Sequence, residues 1–331
     1  MSLLRASFSV SRPAFRASAR RFSTAPPKKD SNLPYYLIGA SALGFGAYFL
    51  LGGPTESKLP RFMRKEQEHS PLDPKEFKDF KLKRVEPYNH NTSRFVFELP
   101  KDEASLLPVA SCVVIRSSDP AALADADGKP VVRPYTPISP PDRRGELEFL
   151  IKKYDTGKAS KYVHEQLRPG DTLSIKGPIP KFPYKQNEFE EVALIGGGSG
   201  VTPLWQILDH ALSDPHNTTR FTLLFANQTE RDILLREDLD ALQKKHPKNL
   251  SVVYVVDQGS ESWTGPMGYI SKDLIKQHVA PASRGEKVKV FICGPPGQVN
   301  AIAGKKAGMK QGPVGGVLKE LGYTEEQVYK F

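Results

Sequence analysis

The sequence predicts a β plus α/β protein: an antiparallel six-stranded barrel domain followed by a parallel-sheet α/β domain, behind one N-terminal transmembrane anchor. Three observations lead there. Short apolar runs separated by turn residues recur from about residue 75 to 180, helix-period segments alternate with strands from about 190, and Leu33 to Leu51 is nineteen residues without a charge.

In chain order, residues 1–29 hold Arg5, Arg12, Arg16, Arg20, Arg21, Lys28 and Lys29, no acid, and much Ser, Ala and Phe. That is the composition of a mitochondrial transit segment, placed at 1–32, with a basic arm for nucleic acid as the alternative. These cations supply seven of the formal net charge of +10, so the basic balance is largely an address and not a property of the body. The uncharged run at 33–51 is close to the ~20 residues that cross a bilayer core. Gly39, Gly44 and Gly46 would weaken a helix in water but are tolerated in lipid, and Tyr35, Tyr36 and Tyr48 suit the membrane interface. A single anchor follows, with a cleaved sorting segment as the alternative. Residues 52–74 carry Pro, Gly and mixed charge without apolar periodicity, the makeup of a linker.

The body has Cys112 and Cys293 as its only cysteines, which excludes a disulfide framework, a cysteine zinc site and a four-cysteine iron–sulfur cluster; no metal site is expected. Between 75 and 182 the expected strands are Phe80–Val85, Arg94–Glu98, Ala110–Arg116, Val131–Thr136, Glu146–Lys152 and Thr172–Lys176, with one helix at about Ser160–Leu167. Asp127-Gly128, Asp142 to Gly145 and Pro169-Gly170-Asp171 punctuate them. From 190 to 331 the rhythm is strand Val192–Ile195, helix Pro203–Leu212, strand Phe221–Phe225, helix Asp232–Lys245, strand Val252–Val256, helix Ser271–Gln277 and strand Val288–Cys293. Such a sheet binds ligands beyond the carboxyl ends of its strands. His164 and His246 have no ligand-spaced partners and read as solvated helix residues.

Four motifs carry the chemistry. Arg133-Pro134-Tyr135-Thr136 combines a planar phosphate fork, a flat aromatic face and a hydroxyl, on a segment that Pro134 confines to an edge. Gly157-Lys158-Ala159-Ser160 opens a helix whose free N–H groups suit an anion. Gly196-Gly197-Gly198-Ser199-Gly200-Val201-Thr202-Pro203 follows a strand and opens a helix, the setting of a pyrophosphate loop, although its spacing is not the usual dinucleotide fingerprint. Cys293-Gly294-Pro295-Pro296 ends an apolar strand at the ligand edge of the sheet. Asp257, closing Val252–Val256, is placed to accept from a ribose hydroxyl and to repel a 2′-phosphate, which favours NADH over NADPH. Each motif alone has an ordinary structural explanation; their order and context read as a flavin site followed by a nicotinamide site.

With Phe225-Ala226-Asn227-Gln228-Thr229-Glu230 and Asp232-Ile233-Leu234-Leu235-Arg236, these segments resemble the ferredoxin-reductase-type flavoprotein family, in particular its fungal mitochondrial NADH–cytochrome b5 reductase branch, over about residues 75–331. The resemblance implies FAD on the barrel and NADH on the α/β domain. It implies hydride transfer from NADH to the flavin, then single-electron transfer to a haem protein such as cytochrome b5, by a monomer. Arg133, Pro134, Tyr135, Thr136, Leu150 and Lys152 would hold the flavin, with Gly157, Lys158, Ala159 and Ser160 on the pyrophosphate. Gly196, Gly197, Gly198, Gly200, Thr202, Pro203, Asp257, Cys293, Gly294 and Pro295 would hold NADH, with Thr136, Thr202 and Cys293 at the reacting rings and the terminal Phe331 nearby. Ala159 stands where animal relatives have Met, and Asp155 where they have an aromatic residue. Residues 151–185 hold eight cations against three acids, a surface that would steer an acidic partner. A reductase for an oxygenase or quinone, and a non-catalytic nucleotide sensor, remain as alternative readings. The Gly/Lys-rich segment 301–316 has no role at this level.

Overall fold

In Lys78–Pro87 (β1), Phe80 and Leu82 are buried while Lys81 and Lys83 face water, the two-residue period that makes this segment a half-buried strand. The computed structural model describes residues 69–331, so the expected targeting segment at 1–32, the anchor at 33–51 and most of the linker lie outside the described residues. Among the described residues no helix is long and apolar enough to cross a membrane.

β1 belongs to an antiparallel six-stranded sheet with Thr92–Glu98 (β2), Ser111–Ser117 (β3), Arg133–Tyr135 (β4), Glu146–Lys152 (β5) and Thr172–Pro180 (β6), in the order β4-β3-β6-β1-β2-β5. Phe95, Phe97, Leu147, Phe149 and Ile115 fill its interior, closed at one end by Val163 and Leu167 from and after helix α1 (Lys158–Glu165). The outer strands β4 and β5 share no ladder among the described residues, but just beyond β4 the Ile138 N–H donates to the Glu148 carbonyl of β5 at 2.9 Å, so the two edges of the expected barrel meet through this backbone bond. The curl of the sheet sets the Tyr135 ring edge-on to Phe149, centroids 6.5 Å apart. β4 is shorter than the expected 131–136 because the Val131 N–H goes to the Leu123 carbonyl instead of a strand partner. Pro134 lies on this edge strand, where a missing N–H costs no ladder bond.

The second sheet is parallel throughout, in the order β11-β10-β7-β8-β9: Glu191–Gly197 (β7), Arg220–Thr229 (β8), Leu250–Gln258 (β9), Val288–Cys293 (β10) and Val328–Lys330 (β11). Helices α2 (Val201–Ser213) and α3 (Arg236–Lys245) cover one face through Leu204, Ile207, Leu208 and Leu239. Helices α4 (Lys272–His278), α5 (Pro296–Ala303) and α6 (Gly316–Glu320) cover the other through Ile275, Ile302 and Leu318. The winding runs outward from β7 through β8 to β9, then returns to β10 on the other side of β7. The gap between the ends of β7 and β10 is therefore the topological switch point.

Several expected boundaries move. The helix expected from Asp232 begins only at Arg236, because the Asp232 carboxylate accepts from the Thr229 N–H and hydroxyl and closes a 3-10 turn, after which Ile233, Leu234 and Leu235 are all buried. Three successive buried residues cannot occupy one stripe of an amphipathic helix. Helix α1 spans Lys158–Glu165, not Ser160–Leu167. His164 is half-buried with Nε2 2.8 Å from the Ile151 carbonyl, and burial pushes its pKa down, so it is not solvated. His246 likewise has Nε2 buried.

Leu194, on the central strand β7, is fully buried. Leu194→Ala is expected to cost about 2–5 kcal/mol by urea unfolding; a loss below about 1 kcal/mol would show that this strand is not the core of the sheet.

Candidate active site

The expected motifs three and four meet at the switch point. β7 ends in Gly196 and Gly197, a 3-10 turn covers Gly198–Gly200, and Val201 starts α2, while β10 ends in Cys293 and turns through Gly294 and Pro295 into α5. A β-carbon on Gly200 would overlap the Cys293 carbonyl, and one on Gly197 would overlap the Gln298 amide and approach Pro295 Cδ. Gln298 Nε2 donates to the Gly196 carbonyl at 3.1 Å. These glycines thus serve the packing of one turn on the other. Gly198, at φ +52° with open space where its side chain would stand, faces the cavity.

That cavity has a volume of about 680 Å³. Asn91, Lys152, Tyr154 and Asp155 line it from the first domain, and Gly197, Gly198, Asn227, Asp257, Pro295 and Gln298 from the second. Asn227 was not among the expected site residues: it is 6 % exposed, and neither its amide oxygen nor its nitrogen has a partner among the described residues. A buried amide left unpaired at a cavity wall costs free energy that a bound hydrogen-bonding ligand recovers. Its signal in the sequence was a polar residue directly after the strand run Phe221–Ala226. Asp257 is exposed at the end of β9 and forms no ion pair among the described residues.

Lys152 reaches across the domain boundary to Asp232 at 3.0 Å, and Tyr154 does the same to Ser199, oxygen to oxygen at 2.8 Å. Burial pushes the Asp232 carboxyl up, but the Thr229 hydroxyl and the Lys152 ammonium outweigh it and hold it below the ordinary carboxylate value. Leu150 is buried in the core cluster shared with α2, so its side chain joins the domains and does not line the cavity.

On the first domain, Arg133 and Pro134 are exposed, and the Arg133 guanidinium donates to the Val132 carbonyl at 2.9 Å, with no acidic partner among the described residues. Burial pushes the Tyr135 phenol up to about 12. Gly157 caps α1 without a side-chain bond, so the first-turn N–H groups of Lys158, Ala159 and Ser160 lack intrahelical partners. Ala159 packs on Leu123 and Val131, which sets this helix end near the start of β4. The Ser160 hydroxyl accepts from the Tyr154 N–H at 3.1 Å and donates to the Gly157 carbonyl at 3.1 Å. It therefore shapes the loop, and the groups left without a partner within the helix are the backbone N–H groups.

Gly196, Gly200, Thr202 and Pro203 are buried beneath the turn and do not line the cavity. The Thr202 hydroxyl is 3.3 Å from the Ser199 carbonyl, to which it donates. Burial pushes the Cys293 thiol up to about 12, which makes it a neutral packing group and not a nucleophile. Phe331 stacks on Phe291 at 5.8 Å, and the Ile292–Lys330 register puts it beside Cys293.

Residues 79–184 match the family description Oxidoreductase FAD-binding domain, and residues 194–303 match Oxidoreductase NAD-binding domain. The chain is 41% identical over 340 residues to NADH-cytochrome b5 reductase 2 of Mycosarcoma maydis, covering 97% of this chain and 96% of that protein. It is 42% identical over 335 residues to the protein of the same name from Pyricularia oryzae, covering 97% and 99%. The chain belongs to the NADH–cytochrome b5 reductase family. Its fold is that of the cytochrome b5 reductase domain of Ulva prolifera nitrate reductase, at a TM-score of 0.68 and 29% identity, over 80% of this chain and all of that one. The CS-b5R domains of human Ncb5or, solved in an NAD+ form, align at a TM-score of 0.60 and 27% identity over 77% of this chain and 69% of that one. The chain is thus an FAD-dependent, NADH-using oxidoreductase.

Gly200→Ala is expected to cost about 2–4 kcal/mol in thermal or urea unfolding, because backbone must move, whereas Gly198→Ala, with open space, should cost only about 1 kcal/mol. Equal losses at the two positions would contradict the packing role given to Gly200.

Proposed function

We propose that this chain takes electrons from NADH, passes them through FAD and delivers them singly to cytochrome b5. The observation that carries the placement of NADH is the cavity at the switch point with the unpaired Asn227 amide in its wall. Bound FAD supplies the hydride acceptor and the conversion from paired to single electrons. The protein supplies position. Arg133 and the uncapped N-terminus of α1 present a cation and free N–H groups that fit the flavin's phosphates, with Lys158 beside them. Tyr135, kept neutral by burial, offers an aromatic face, and Thr136 follows it at the end of β4, while Leu150 serves from the seam between the domains.

Gly198 lets the NADH phosphates approach the backbone, Asn227 satisfies them or their ribose, and Lys152, fixed by Asp232, holds a positive charge at the cavity wall. Asp257, exposed and with no ion pair among the described residues, accepts from ribose hydroxyls and repels a 2′-phosphate, which selects NADH. Thr202 and Cys293, neutral and packed at the base of the two turns, shape the floor beneath the nicotinamide; neither carries a proton in the reaction. Gly294 and Pro295 make the rigid rim.

The acceptor surface rests on charge. Of the eight cations at 151–185, Lys152 pairs with Asp232, Lys153 with Glu165, and Lys176 lies over the Phe77 ring, whereas Lys158, Lys161 and Lys185 form no ion pair among the described residues. These unpaired ammonium groups suit an acidic haem protein. Residues 1–32 and 33–51 support targeting to the mitochondrion and a single-pass anchor in its outer membrane, with a processed soluble form in the intermembrane space where the anchor is removed. The body works as a monomer on this reading.

The purified protein is expected to be yellow, to bleach on anaerobic addition of NADH far faster than with NADPH, and to reduce cytochrome b5 faster than quinones. A colourless protein after flavin loading would refute the reading. Arg133→Ala should weaken FAD retention by about tenfold or more; full flavin content in that variant would remove Arg133 from the flavin site.

A further inference from the structure

Of the Gly/Lys-rich segment 301–316, Ala301 and Ile302 line the cavity, and one buried cation fastens the remainder. After α5 ends at Ala303 the chain loops from Gly304 to Gly315 before α6. Lys330 of β11 is 1 % exposed, and its ammonium donates to the carbonyls of Pro313 at 2.9 Å, Ala303 at 3.3 Å and Gly312 at 3.4 Å. Its backbone forms a reciprocal pair with the Gln311 side chain: the Lys330 N–H donates at 2.7 Å and the Lys330 carbonyl accepts at 3.0 Å.

Lys330 forms no ion pair among the described residues. An ammonium buried without a carboxylate is costly, and three converging carbonyls are what makes it tolerable. One of those carbonyls, that of Ala303, lies at the end of α5, where a cation meets the negative end of the helix dipole. α5 is also a wall of the cavity, through Gly297, Gln298, Ala301 and Ile302. On its other side Lys330 continues into Phe331, whose N–H donates to the Ile292 carbonyl at 2.9 Å next to Cys293.

We propose that Lys330 is a positioning residue for the NADH cleft: by fastening the end of α5 and the 304–315 loop to the C-terminal strand, it fixes the cavity wall that α5 supplies and the place of Phe331. This rests on the reading of the cavity as the NADH site. Two links join the cation to the ligand, the helix it caps and the terminal residue it precedes, and both act on geometry without touching NADH.

The test compares the full chain, loaded with FAD, with its Lys330→Met variant. The variant is expected to keep its flavin and a kcat within about twofold of the parent, to raise KM for NADH about five- to tenfold, and to lose hydrogen-exchange protection in 304–315. Gln311→Ala, which removes the backbone pair without orphaning the three carbonyls, should shift KM the same way by about twofold and covers the case in which Lys330→Met does not fold. Leu239→Ala, buried on α3 on the opposite face of the sheet from the loop, should lower Tm without raising KM. An unchanged KM in Lys330→Met, or a KM in Leu239→Ala that rises as much, would overturn the proposal. If the parent itself is not reduced by NADH, it is the reading of the cleft that has failed.

Discussion

The contact on which the rest depends is between two backbones. Gly200 lies so close under the Cys293 carbonyl that no side chain fits, and Gln298 returns a bond to the Gly196 carbonyl. This locks the turn after β7 to the turn after β10, the two strands on either side of the point where the winding reverses. With those turns packed on each other, the next available space is immediately above them, and there the cavity forms. A sheet with looser turns would fill this space with side chains.

The second domain alone leaves that space open on one side; the first domain closes it. Ala110, Ile138 and Leu150 join the core cluster of α2 and β8, and this apolar seam supplies the area that keeps the domains together. Polar contacts then fix orientation. The Lys152–Asp232 pair is nearly buried, so its net contribution to stability is small even though removing one partner would be costly, about 3–5 kcal/mol. Its consequence is positional: it holds a cation at the cavity wall, with Tyr154 and Ser199 as a second bridge on the same side.

Much of this was legible in the sequence. Period-two burial in β1 and the uninterrupted apolar run of β7 announced an antiparallel half-buried sheet and a parallel fully buried one, and Pro134 fell on an edge as its missing N–H requires. Local pattern was a poorer guide where a distant partner decides. Asp232 looked like a helix start but caps a 3-10 turn and pairs with Lys152 eighty residues earlier. Gly196, Gly200 and Pro203 stand in a strand–helix turn that reads as a pyrophosphate loop, yet all three are buried, Gly200 against the Cys293 carbonyl and Gly196 against Leu204 and Phe225, leaving Gly197 and Gly198 at the cavity. Asn227 was hidden because an unpaired amide is visible only when its surroundings are known. Strand β11 is three residues long, too short for any periodicity, so nothing in the sequence announced that its Lys330 meets the carbonyls of the loop after α5.

The central claim is that nucleotide occupies the space above the two locked turns, and hydrogen exchange of the FAD-loaded protein with and without saturating NAD+ tests it most directly. Slowed exchange is expected at four separate places at once: Lys152–Asp155, Gly197–Gly200, Asn227 and Cys293–Gln298. Protection confined to other surfaces, with these segments exchanging as before, would contradict it.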